Sequence, residues 1–224
     1  MVLAIITARK NSKGLPGKNM MDIGGVPLIE KTFQVAAQTK QFDKIILSTD
    51  IEEAIELAQA KYPRIDVPFV RPAELSTDTA THVEVVNHIL DYYSSVQQQF
   101  THLVLLQPTS PFRTAEEMNR GVELLKNGAE SVLGVCNVLH HPADYLYENK
   151  DKTLSFLLPE FKGKRRQEFP DIYFNNGAFY GCSVAFYKQH QLFFDNQSAL
   201  LHMNDNTLID IDTEFDMKLA KHLN

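Results

Sequence analysis

The first apolar run, residues 2–8, is broken by one threonine only and predicts a strand buried on both faces. Runs at 44–48 and 102–106 read the same way, the latter as a central strand without polar alternation. Between the strands, apolar residues recur at helical spacing. Residues 27–38 turn Leu28, Phe33 and Ala36 inward behind a proline suited to a first helical turn. Further helices are predicted over 52–61, over 81–94 with Val85, Val86, Ile89 and Leu90 on one face, over 115–126, and at the end over 216–223. Short strands are expected at 67–70 and 131–138. Strands alternating with helices predict an α/β fold, a doubly wound and mostly parallel sheet. From about His140 to Tyr180 this rhythm breaks into polar, basic and proline-containing chain, with strand-like pieces at 154–158 and 172–174. That stretch is too small to fold alone. It reads as an excursion from a single domain of residues 1–224, lying on a partner subunit.

Composition narrows the possibilities. A chain of 224 residues that is 44% hydrophobic suits one sizeable domain. No run approaches the ~18 apolar residues of a membrane span, and no signal peptide is expected, so no membrane partner is expected either. The net charge of -6 opposes non-specific nucleic-acid binding, which needs a broad positive field. The two cysteines, Cys136 and Cys182, sit in apolar or small-residue stretches, as reduced thiols of a cytoplasmic protein would.

Against this acidic background one segment is sharply basic. The first strand empties into Arg9-Lys-Asn-Ser-Lys-Gly-Leu-Pro-Gly-Lys-Asn19, with four cations and two glycines. Cations crowd in this way around an anion, and glycines let backbone N–H groups approach it. A strand ending in a basic glycine loop predicts a phosphate cradle, with a solvated basic turn as the alternative. Neither G-x-G-x-x-G nor G-x-x-x-x-G-K-[ST] is present, which disfavours a dinucleotide dehydrogenase and a P-loop ATPase. Near the other end, Asp210 and Asp212 alternate in Ile209-Asp-Ile-Asp-Thr213. In extended chain they project together, and a cation between them relieves their repulsion. Magnesium, which favours carboxylate and phosphate oxygens, is the expected ion. Asp212 or Thr213 could instead simply start the last helix. Gln107-Pro-Thr-Ser-Pro-Phe-Arg113 follows the central strand, where ligands of doubly wound folds bind. Arg71, Asp78 and Thr79 lie just before the third helix, where Asp78 or Thr79 could also be its cap. A second basic knot runs from Lys162 to Gln167. The pair His140–His141 lacks the spacing of a zinc site.

Taken in order, these segments resemble the acylneuraminate cytidylyltransferases, the CMP–sialic acid synthetases. The matching pieces are Ala8–Asn19, Ile46-x-Ser-Thr-Asp50, Arg71-Pro-Ala-Glu-Leu75, Asp78-Thr-Ala80, Leu106–Arg113, Arg166-Gln167, Asn176-Gly-Ala178 and Ile209–Glu214. The resemblance implies a Rossmann-like nucleotidyltransferase that joins CTP to a nine-carbon α-keto acid sugar, releases pyrophosphate and dimerises through an inserted arm. It implies triphosphate binding by Arg9, Lys13 and Lys18, with Asn11, Ser12, Gly14 and Asn19 around them. Arg71, Asp78 and Thr79 would wall the cytosine and ribose. Gln107, Thr109, Ser110, Arg166, Gln167, Asn176 and Tyr180 would face the sugar, with Phe193 and Phe194 lent to the neighbouring subunit's acyl pocket or packed in the core. Asp210 and Asp212 would hold magnesium, and Lys18, Arg9 and the two aspartates would carry catalysis. Three positions depart from the family pattern: Ala143–Asp144 for a lysine, Phe174 for an arginine, and His82 for a serine near the base. Two of these lie on the sugar side, so a relative such as legionaminic acid is as open as N-acetylneuraminic acid. A metal-dependent glycosyltransferase and a CTP-binding module without turnover remain alternatives.

Overall fold

The computed structural model describes residues 1–223. In chain order the strands and helices are β1 (Val2–Thr7), β2 (Asp22–Ile23), β3 (Val26–Pro27), α1 (Leu28–Gln38), β4 (Lys44–Ser48), α2 (Glu52–Lys61), β5 (Ile65–Asp66), α3 (His82–Ser95) and β6 (His102–Leu106). There follow α4 (Ala115–Lys126), β7 (Ser131–Asn137), β8 (Leu146–Glu148), β9 (Leu154–Phe156), β10 (Tyr173–Ser183), α5 (Val184–His190), β11 (Ala199–His202) and α6 (Glu214–Leu223). Seven strands form one sheet in the order β11-β7-β10-β6-β1-β4-β5. All neighbours in it run parallel except β10, which is antiparallel to both β6 and β7. The mostly parallel, doubly wound α/β expectation therefore holds, with one reversed strand near the middle.

The alternation of side chains in β1 explains the two layers. Val2, Ala4 and Ile6 pack with Ile29 and Phe33 of α1, Ala54 and Ala58 of α2, and Met118 and Val122 of α4. Leu3 and Ile5 face the other way, onto Val85, Val86 and Ile89 of α3 and Phe186 and Tyr187 of α5. A strand buried on both faces cannot tolerate polar alternation, and β1 and β6 have almost none.

Two sequence expectations shift. The strand predicted at 67–70 forms instead at Ile65–Asp66, against Ile45 and Ile46 of β4. Pro68 lacks the N–H that a continued ladder needs. The excursion ends earlier than position 180, because the chain re-enters the sheet at Tyr173. Between the sheet strands β7 and β10 it folds into the small β8–β9 hairpin and short 3-10 turns.

One polar node ties a helix to the later site segment. Thr114 caps α4, and the Glu117 side chain accepts from the Thr114 backbone N–H at 2.9 Å and its hydroxyl at 2.9 Å. The same buried carboxylate accepts from the Asn204 backbone at 2.7 Å and its side-chain amide at 3.0 Å. It thereby anchors the chain that runs on to Asp210. Glu117→Ala leaves these donors without their acceptor. It should cost about 1–3 kcal/mol in a denaturant titration, with no change in m-value.

Candidate active site

Parallel strands β1, β4 and β6 end on one edge, and the strand order reverses between β1 and β6, where doubly wound sheets open a crevice. A cleft of about 570 Å³ lies there. The loop after β1 supplies Arg9, Ser12, Lys13, Gly14, Lys18 and Asn19 to its wall; the loop after β6 supplies Gln107, Pro108 and Thr109. Asp210, Asp212 and Thr213 close it from the C-terminal side. The cationic loop and the paired acids, nearly the whole chain apart in sequence, share one cavity.

A third, small apolar cluster explains how they meet. Leu15 of the basic loop is buried with Ile23, Leu28, Ile209, Ile211, Met217 and Ala220. Ile209 and Ile211 point into this cluster, so Asp210 and Asp212, alternating with them in extended chain, project the other way. The backbone N–H of Ile211 donates to the Thr109 carbonyl at 2.8 Å, tying the acid segment to the loop after β6. Buried Lys18 Nζ donates to the Ile211 carbonyl at 2.7 Å and to Asp212 Oδ1 at 2.6 Å. A Cβ on Gly14 would collide with the Asp212 carbonyl, so this glycine is where the two chain segments touch.

The expectation that Asp212 might only cap the last helix is resolved locally. Thr213 and Asp216 cap α6 between them. Asp216 Oδ2 accepts from the Thr213 N–H and hydroxyl, each at 2.8 Å, and Thr213 Oγ1 accepts from the Asp216 N–H at 3.3 Å. The Asp212 carboxylate is left for the cleft. Likewise α3 is capped by Thr81 in a reciprocal box with Glu84, not by Asp78 or Thr79.

Lys18, Arg9 and Arg71 are already partnered. Arg9 donates to Asp78 at 2.6 Å and to the Thr77 carbonyl at 2.7 Å. Asn19 braces the loop by donating to the Arg9 carbonyl at 3.2 Å. Arg71 is buried against the end of β4, donating from Nε to Ser48 Oγ at 3.0 Å and from Nη2 to the Ser48 carbonyl. Burial pushes its pKa down to about 10, so it stays cationic at neutral pH. Asp210 is served only in part. Its Oδ1 is buried without a hydrogen-bond partner among the described residues. Burial raises its pKa; the Thr109 hydroxyl lowers it, the Asp212 charge raises it again, and Lys18 and Arg113 lower it.

The chain belongs to the cytidylyltransferase family. The family model for cytidylyltransferases matches residues 3–217. The chain is 32% identical to the pseudaminic acid cytidylyltransferase of Campylobacter jejuni, over 99% of this chain and 95% of that protein. It is equally, 32%, identical to the CMP-N,N'-diacetyllegionaminic acid synthase of Legionella pneumophila, over 99% and 95%. In structure it resembles CMP:2-keto-3-deoxy-manno-octonic acid synthetase complexed with CTP, with a TM-score of 0.68 at 14% identity, covering 99% of this chain and 97% of that one. That likeness concerns the fold.

Measured against what the cytidylyltransferase resemblance implied, the residues fall in several different places. Arg9, Ser12, Lys13, Gly14, Lys18, Asn19, Arg71, Gln107, Thr109, Asp210 and Asp212 line the cleft together. Asn11, Asp78 and Thr79 stand outside its lining, Asp78 acting as the partner of Arg9 and Thr79 lying 3.1 Å from the Thr77 hydroxyl. Two residues expected on the sugar side are structural instead. Ser110 is buried and donates to the Asn176 carbonyl at 3.0 Å. Asn176, wholly buried, donates to Thr207 Oγ1 at 2.8 Å and accepts from the Ala178 N–H at 3.0 Å. Phe193 packs with Tyr187 in the core, as its core alternative held. Phe194 is exposed and stacks on Tyr180 at 5.7 Å. Arg166 and Gln167 sit exposed on a short turn of the excursion, away from this chain's own cleft.

Sequence reasoning passed over Arg113. Its guanidinium is buried, donating from Nε to the Ser110 carbonyl at 2.9 Å and from Nη2 to the Gln107 carbonyl, so it holds the loop after β6 in shape. Burial pushes its pKa down to about 9, while the attraction of Asp210 and Glu117 opposes that fall. A cation seven residues beyond a buried strand was the available signal. Leu75, Thr77, Ala80, Thr81, His82 and Val85 also line the cleft.

A buried carboxylate with a raised pKa costs stability while it is ionised, and that cost disappears as pH falls through the raised value toward the ordinary one. In metal-free buffer at neutral pH, Asp210→Asn should raise the Tm, because burial raises the Asp210 pKa. Thermal scans at pH 7 and pH 4 check this: the gain should shrink in acid.

Proposed function

We propose that this cytidylyltransferase activates a nonulosonic acid with CTP, giving a CMP-sugar and pyrophosphate. The observation that carries the reading is the meeting of Lys18, Arg9, Asp210 and Asp212 in a single cleft at the switch point of the sheet. Both reactants are anions: CTP through its phosphates, the sugar through its carboxylate. Their repulsion has to be cancelled before a sugar hydroxyl can reach the α-phosphorus. A close phosphate would attract Lys18 and Arg9 by about 4 kcal/mol each at an effective dielectric near 20, in place of their attraction to Asp212 and Asp78. Helix ends offer ~0.3–1 kcal/mol, so side-chain cations dominate. As the sugar oxygen–phosphorus bond forms, the bond to the β-phosphate oxygen breaks, and the hydroxyl proton passes to a carboxylate of the acid pair. Lys18 and Lys13 then face the departing pyrophosphate.

The acid pair fits a divalent cation such as Mg2+. No group of three or more His, Cys, Asp or Glu among the described residues could form an all-protein cage. Two carboxylates, one with an orphaned buried oxygen, suit magnesium, which takes one or two carboxylates and completes its shell with phosphate oxygens and water. Bound there, it would neutralise phosphate charge and polarise the α-phosphoryl group. Asp212→Ala should lower kcat by about 10²–10³ with an unchanged circular dichroism spectrum. Pyrophosphate release from CTP, magnesium and a panel of N-acetylneuraminic, legionaminic and pseudaminic acids tests the reaction itself. Silence with every acid would refute it. The triphosphate-sized cationic loop weighs against a glycosyltransferase, whose donor carries a diphosphate or monophosphate.

The excursion supports a homodimer. Leu139, Tyr145, Leu146, Tyr147, Leu154 and Leu157 are all more than half exposed in the single chain, an apolar patch that a second copy would cover. In that assembly Arg166 would reach the partner's cleft and hold the sugar carboxylate. No helix of the described residues is long and apolar enough to cross a membrane. Leu146→Glu with Leu154→Lys should give a monomer in sedimentation velocity and raise the KM for sugar by about tenfold or more, leaving CTP affinity within about twofold.

A further inference from the structure

Gln107 opens the loop after β6 and lines the cleft, and one of its neighbours has no part in the chemistry above. His82 opens α3, lines the same cleft, and places its Nε2 3.1 Å from Nε2 of Gln107. An amide nitrogen only donates, so the imidazole Nε2 is the acceptor and the ring proton sits on Nδ1. Burial, then the nearby cations Arg71 and Arg9, lower the His82 pKa, which keeps the ring neutral and able to accept. The other end of the amide points elsewhere. A Cβ built on Gly177 would come within 3.1 Å of Gln107 Oε1 and 3.9 Å of Asp210 Oδ2. Gly177, at φ +68, keeps this space open. The Gln107 carbonyl thus lies beside Gly177 on the same side as Asp210 Oδ2, and in the reaction proposed above the attacking sugar would come in beside that acid.

We propose that His82 is a positioning residue: it takes the amide hydrogens of Gln107 and so fixes the Gln107 carbonyl toward the sugar subsite, selecting an acid sugar that offers an O–H or N–H donor there. The inference rests on the cytidylyltransferase reading above. An amide free to rotate shows its donor and its acceptor ends about equally. One held by a neutral imidazole shows the acceptor alone. The selectivity thus belongs to a pair of residues, of which only Gln107 would touch the sugar.

Two variants separate shape from hydrogen bonding. His82→Phe keeps a ring but deletes the acceptor; His82→Gln keeps an acceptor at similar reach. His82→Phe should raise the KM for the sugar about tenfold, the effect of one oriented hydrogen bond, with the KM for CTP within about twofold. His82→Gln should restore most of the loss, and His82→Phe in a Gln107→Ala background should add nothing further. Independently of turnover, long-range 1H–15N spectra of the wild-type protein should show His82 as the Nδ1–H tautomer, and Gln107→Ala should abolish that preference. An equal rise in the KM for CTP, additive effects in the double variant, or an Nε2–H tautomer in the wild type would each overturn the proposal. Wild-type turnover separates the two readings: absence of pyrophosphate with any acid fails the proposed reaction, whereas normal turnover with an unmoved sugar KM fails His82.

Discussion

Leu15 is an apolar residue in a loop otherwise rich in charge, and its burial against Ile209 and Ile211 fixes where the charges of the site stand. With those isoleucines inward, Asp210 and Asp212 can only face the cleft. With Leu15 inward, Lys18 comes under the Ile211 carbonyl and beside Asp212. The contact is steric as well, since Gly14 leaves room for the Asp212 backbone that any side chain would fill. The layers of the sheet position β1 and β6. The third apolar cluster then brings to their ends a segment that belongs to no strand, and without it the acids would hang from a solvated loop.

The electrostatics follow from that placement. Lys18 and Arg9 each have a carboxylate at 2.6 Å, so these two cations do not stand bare against one another. A triphosphate competes with Asp212 and Asp78 for the same donors. Exchanging one anion for another of similar strength is nearly balanced, which lets a site bind a highly charged nucleotide and still release its products. Asp210 differs, because its orphaned oxygen is a standing cost that a bound cation would offset.

Much of this was legible in the chain, for identifiable reasons. The unbroken apolar runs of β1, β4 and β6 and the amphipathic helices are long, strongly periodic segments, and α2 and α4 fall on their expected residues. The cradle was legible because cations crowded after a buried strand repel one another until an anion joins them. The reversed strand β10 was not. Its Asn175–Tyr180 stretch carries a register shift, and Asn-Asn-Gly reads locally as a turn, though both flanks pair with β7. Motif membership also failed to separate contact from support. Ser110 and Asn176 look like ligand residues in sequence, yet bond to the protein interior. Arg113 looks like the end of a turn, yet it secures the loop after β6 through two of its carbonyls. A linear pattern records which residues matter in a loop; whether a polar atom points in or out depends on strands that arrive much later in the chain.

The pairing of Lys18 with Asp212 spans 194 positions, and that distance has a consequence in time. During synthesis the phosphate-binding turn emerges well before the acids that complete it, because 194 positions separate Lys18 from Asp212. Closing so large a loop is among the slowest steps available to a chain of this kind. Nucleotide cannot serve as an early template for folding; it can only reward the finished molecule. Stabilisation by CTP should therefore act on unfolding, as a brake on the parting of two segments that lie far apart in sequence.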